Sequence, residues 1–202
     1  GSYNTASGSY ALNKNTTASN NTAVGYQAGY SNSTGAALTA IGQNALRSST
    51  TASNNVAVGQ DSLYTLTTGT GNAVLGTAAA RGMTTGNYNV VVGQEALKSN
   101  TTASNNTAVG YQAGYSNTTA THNTFIGRGS GYSTTTGGDN VALGSSALYT
   151  NAGGTNNTSI GYSSMYYNTS GTSNVALGKD ALQSNTTSSN NTAVGYQAGY
   201  SN

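Results

Sequence analysis

Apolar residues in this chain come in short alternating clusters closed by glycine, such as Thr-Ala-Val-Gly, Val-Ala-Val-Gly and Val-Ala-Leu-Gly. Runs this short, rich in β-branched residues, predict strands of about three to five residues. The closing glycines are Gly8, Gly25, Gly42, Gly59, Gly76, Gly93, Gly110, Gly127, Gly144, Gly161, Gly178 and Gly195, each 17 residues after the last with no insertion or deletion. A longer period lies on top. The stretch NTTASNNTAVGYQAGYSN occurs around Gly25 and again around Gly110, and with one Ser for Ala around Gly195, a spacing of 85 residues or five units. Duplication of a five-unit block accounts for it. Residues 1-202 therefore form a single repeat array. Both ends cut through a unit, so a longer parent fibre is expected.

Aligned on the glycine, the units become columns. Four residues earlier stands Asn in every unit but one: Asn4, Asn21, Asn55, Asn72, Asn89, Asn106, Asn123, Asn140, Asn157, Asn174 and Asn191, with Leu38 the exception. Immediately before the glycine is a branched aliphatic: Val24, Ile41, Val58, Leu75, Val92, Val109, Ile126, Leu143, Ile160, Leu177 and Val194. One place earlier is a mostly small column: Ala23, Ala40, Ala57, Val74, Val91, Ala108, Phe125, Ala142, Ala176 and Ala193. Beyond the glycine come Ala or Ser, then often Leu or Met (Leu46, Leu63, Leu97, Leu148, Met165, Leu182), then Tyr, Arg or Lys, and further on a Thr-Thr pair.

Helical repeats need longer units than this, and ones less rich in Gly and Thr. The expected fold is all-β: a parallel β-solenoid, or β-roll, of about twelve 17-residue coils. Each coil has room for two short strands and two turns. Stacked at roughly 4.8 Å per layer, the coils make a rod of about 55 to 60 Å. The aliphatic column and the Leu or Met column are expected to fill a thin core. The Asn column is expected to form a ladder that satisfies turn groups from coil to coil. Neighbouring residues of a strand face opposite sides. With the aliphatics inside, the small column would point outward as a stripe for packing further chains, most simply as a homotrimer.

Composition narrows the functions. Charged residues are 5% of the chain, Pro, Cys and Trp are absent, and the net charge of +2 comes from scattered residues. No basic patch exists to grip nucleic acid. No apolar run approaches bilayer length, so direct membrane insertion is not expected. His122 is the single histidine, and Asp61, Glu95, Asp139 and Asp180 fall in four different coils. Zinc or Cys-His chemistry is thereby excluded, and a glycosidase carboxylate pair disfavoured. No catalytic, cofactor or metal residues are assigned, and the chain is read as not an enzyme. Asn-X-Ser/Thr triplets such as those at Asn15, Asn100 and Asn168 are attributed to chance in so Asn- and Thr-rich a chain.

Two columns could bind a ligand. Tyr30, Tyr64, Tyr115, Tyr132, Tyr149, Tyr166 and Tyr200 could stack on sugar rings, although a ladder that covers the core edge is the simpler reading. The Thr pairs raise ice binding, but adjacent Thr before a small residue suggests a corner rather than a flat face.

Segments such as NNTAVGYQAG, SNVALGKDAL and NNVAVGQDSL resemble the repeats of YadA-like trimeric adhesin heads, and also those of phage-type tail fibres. The resemblance covers essentially the whole chain. It implies three parallel β-rolls about an axis, and a structural or adhesive role at a cell surface or virion. A host-surface glycan or receptor would then be a partner.

Overall fold

The computed structural model describes residues 1–201. It contains twelve three-residue strands, one per coil, from β1 (Thr5–Ser7) through β7 (Thr107–Val109) and β8 (Thr124–Ile126) to β12 (Thr192–Val194). They form one parallel sheet in strict sequence order. Equivalent residues pair in every step, as Ala108 with Phe125 and Val109 with Ile126. The sheet is thus one wall of a β-solenoid.

The opposite wall is not a second strand. After each glycine the chain turns with left-handed backbone at alternate residues, as at Asn44 (φ 57°) and Leu46 (φ 51°), or Glu95 (φ 57°) and Leu97 (φ 46°). The expectation of two strands per coil is corrected accordingly. For a residue with a side chain this conformation costs about 1–2 kcal/mol. Complete burial of the same Leu side chain returns about 1.5–3 kcal/mol, so the Leu column is tolerated there.

The closing glycine is required for a different reason. Gly110 has φ 135°, and a Cβ added to it would lie 2.6 Å from the carbonyl oxygen of Gly127. Coils touch backbone to backbone at this corner.

The strand's two faces are the reverse of the expectation. Ala23, Ala40, Ala57, Val74, Val91, Ala108, Phe125, Ala142, Ala176 and Ala193 are the buried ones. The column read as core points outward: Val24, Ile41, Leu75, Val92, Ile126, Leu143, Leu177 and Val194 are 37% to 64% exposed, and Val58, Val109 and Ile160 are half-buried. Space inside the coil is the cause. Leu46, Leu63, Leu97, Leu148, Met165 and Leu182 reach in from the turn wall alongside the Ala or Ser before them. What remains between the walls is filled mostly by methyl groups, with Val74 beside Ala80 and Val91 beside Leu97 as larger occupants.

Phe125, the largest side chain of this column, shows the constraint. In the Leu column the neighbouring positions are Gly114 and Gly131. A Cβ at Gly114 would come within 2.7 Å of the Phe125 ring, and one at Gly131 would come closer still. One ring occupies the space that two Leu side chains vacate.

Candidate functional site

The Asn ladder is present and internal. Asn21, Asn55, Asn72, Asn89, Asn106, Asn123, Asn140, Asn157 and Asn174 are essentially fully buried, and Asn191, in the last complete coil, is partly so. Each works in two directions. The Asn106 amide donates to the Ala120 carbonyl at 3.0 Å, and its Oδ1 accepts the Asn123 N–H at 2.9 Å. At the exception, Leu38 still donates its N–H to Asn21 Oδ1 at 2.9 Å, but it offers no oxygen onward to Asn55.

A second Asn column escaped the sequence reading. Asn32, Asn100, Asn117, Asn151, Asn168 and Asn185 are fully buried seven residues after their glycines. Asn100 Oδ1 accepts the Ala103 N–H at 2.9 Å and its Nδ2 donates to the Ala103 carbonyl at 3.2 Å. That clamps the corner before the next strand. The recurrence of Asn before Thr-Thr was the available signal. Asn100 and Asn168 are closed to glycosylation for the same reason.

The first Thr of each pair is also structural. Thr50, Thr67, Thr84 and Thr101 donate their hydroxyls to carbonyls one coil on, at 3.0 to 3.2 Å. The second Thr, as at Thr51 and Thr102, is exposed at a bend.

The Tyr column forms a ladder along one flank. Tyr115, Tyr132, Tyr149 and Tyr166 stack with centroids 4.9 to 5.0 Å apart and planes within 5° of parallel. The spacing is that of the sheet, so the backbone sets the stack. Toward the N-terminus the column alternates with cations. Arg47 lies 5.6 Å from the Tyr30 ring and 5.5 Å from that of Tyr64, Arg81 lies 5.1 Å from Tyr64, and Lys98 lies 5.3 Å from Tyr115. Ring faces are thus spent on one another and on cations. What the ladder offers outward is ring edges and hydroxyls, so a sugar cannot stack on it face to face between Tyr115 and Tyr166. Tyr200 lies near the C-terminal end, exposed and outside that stack.

Beside the ladder runs a polar row two residues after each glycine. Asn44 donates to Asp61 at 2.9 Å, Lys98 to Glu95 at 2.6 Å, and Gln112 to Glu95 at 2.8 Å. The Lys98 and Gln112 bonds, the former contributing more, hold the Glu95 carboxyl below its usual range. The row then shrinks to Gly129, Ser146 and Ser163. There a groove of about 240 Å³ opens, lined by Gln112, Arg128, Gly129, Tyr132, Ser146, Tyr149 and Tyr166. Burial raises the Tyr132 and Tyr166 phenols above their ordinary pKa, reinforced by Tyr149.

The acidic residues are far apart in the array and separately engaged. Asp61 faces Arg81 at 3.8 Å, Asp139 faces His122 at 3.9 Å, and Asp180 accepts a hydrogen bond from Gln183 at 3.0 Å. Among the described residues no three metal-binding side chains come together, and no helix is long and apolar enough to cross a membrane.

Fold and surface together define a parallel β-solenoid with one aliphatic face and one aromatic-polar flank. Compared with protein-family models, curated proteins and solved structures, the chain matches none.

Proposed function

We propose that this chain is a segment of an extracellular structural or adhesive fibre, of the adhesin or tail-fibre kind, which serves as a rigid spacer or attachment head and packs as a homotrimer. The outer face of the sheet carries the proposal. Two columns run along it: Ile41, Leu75, Val92 and Leu143 typify an aliphatic one, and the other mixes Val56, Val90, Val141 and Val175 with Thr22, Thr39, Thr107, Thr124, Thr158 and Thr192; the Val, Ile and Leu side chains named are 37% to 50% exposed. No charged residue falls in either column.

Columns two residues apart along a strand are about 7 Å apart, and the sheet is about 55 Å long, giving a largely apolar face of about 400 Å². That is the size of the largest apolar patch on a typical monomer, and such patches are often functional. Two such faces together bury about 800 Å², somewhat below the roughly 1,000 Å² expected of a specific interface, so the fit of the ridges has to contribute to specificity. A parallel copy of this chain has the same layer spacing, so its ridges stay in step with these over the full length. A partner whose layers are spaced differently would drift out of register.

The absence of cysteine from the sequence makes the test clean. Val92→Cys, on the outer sheet face, is expected to form interchain disulfides under mild oxidation, while Thr102→Cys on the Thr corner is not. Cross-linking through Thr102→Cys and not Val92→Cys would move the interface elsewhere.

A further inference from the structure

At Gly129 the flank loses its cover over successive coils. In other coils, Ala78 apart, the row beside the aromatic column carries longer side chains, and Gln27 accepts a hydrogen bond from Arg47 across it at 2.8 Å. Over three successive coils that row is Gly129, Ser146 and Ser163, while the column behind it is Tyr132, Tyr149 and Tyr166. The ring edges and phenol groups of Tyr132, Tyr149 and Tyr166 therefore border one groove.

The charge balance of the groove is unlike that of the rest of the surface. The chain has six Lys and Arg residues. Lys14, Arg47, Arg81, Lys98 and Lys179 each sit over a tyrosine ring. Arg128, at the groove, is the sixth, and among the described residues it has neither a ring, an acid nor a hydrogen-bond acceptor for its guanidinium. No carboxylate lines the groove. Its other polar groups are Tyr hydroxyls, the Gln112 amide and the Ser146 hydroxyl, and aromatic edges carry partial positive charge.

We propose that this groove binds a carboxylate-bearing sugar unit, a uronic or sialic acid residue. Arg128 takes the carboxylate in bidentate fashion, and the Tyr, Gln112 and Ser146 groups hydrogen-bond the ring hydroxyls. The volume suits one such unit. Recognition is by hydrogen bonds and charge rather than by stacking, since the ring faces are occupied.

Calorimetric titration of the intact chain with trigalacturonate, sialyllactose and maltotriose tests this. At least one of the two acidic sugars is expected to bind, which of them distinguishing uronate from sialate, and maltotriose is not. Arg128→Gln should weaken binding at least tenfold. Ser146→Gln should do the same by refilling the groove, and it is compatible with the fold because Gln112 and Gln197 hold the same place in other coils with the same left-handed backbone. Equal binding of maltotriose, unchanged affinity in Arg128→Gln, or no binding of either acidic sugar at millimolar concentration would overturn the proposal. The site lies on a single chain, so the result does not depend on self-association.

Discussion

At the scale of single residues, this fold is held by buried side chains whose roles repeat from coil to coil. Asn106→Ala would leave the buried Asn123 N–H without its acceptor, while the Ala120 carbonyl keeps the Asn117 amide as a donor at 3.0 Å. An orphaned buried group costs about 1–3 kcal/mol, so urea unfolding should show a loss of that order. Phe125 permits a sharper test. Phe125→Ala should cost about 3–5 kcal/mol by opening a cavity. Adding Gly131→Leu restores the Ala-plus-Leu pattern of its neighbour, Ala142 with Leu148, and should recover part of that loss. Gly131→Leu alone would drive its side chain into the ring. A double-mutant cycle that came out additive would mean that the two positions do not share one space.

At the scale of the element, the period, the parallel stacking and the Asn ladder were legible in the sequence, whereas the facing of the strand was misread. Alternation was visible, but size was used to choose its phase, and the larger residue was placed inside. The Asn ladder held the missing information. Asn106 and Val109 are three residues apart, hence on opposite faces of an extended strand. A ladder inside the coil puts the aliphatic outside. The turn wall was illegible for another reason: left-handed Leu97 and Glu95 belong to residue types that shun that conformation, so local preference pointed to a strand. The groove was hidden because it arises from two columns compared with each other, Gly129 and Ser146 against Tyr132 and Tyr149, not from any motif along the chain. Also at this scale, Glu95 is held below its ordinary value by Lys98 and Gln112. A carboxyl whose pKa is lower folded than unfolded adds stability above its unfolded pKa, and that contribution is lost as pH falls through the acid range below about 4.5. Both partners are partly exposed, so the effect is under about 1 kcal/mol. Glu95→Gln should flatten the acid side of a plot of Tm against pH.

At the scale of the whole molecule, an unbroken register of 17 residues gives each coil the same neighbours, and the same surface columns result. Stability in such an array is a sum of coil and interface terms, so damage in the Phe125 coil should be felt chiefly by the coils beside it. Hydrogen exchange would show this as faster exchange around Gly114 and Gly131 and little change near Ala40. The same repetition lines up two outward residues per coil, one aliphatic and one mostly Val or Thr, into a continuous, largely apolar face, and a continuous face of constant pitch is matched by another copy of itself. Sedimentation equilibrium of the unaltered chain at micromolar concentration measures this most directly. The account predicts the mass of three chains of 20.1 kDa, reduced to one by the pair Val92→Lys and Ile126→Lys with the circular dichroism of the coils retained. A single-chain mass for the unaltered protein would contradict it.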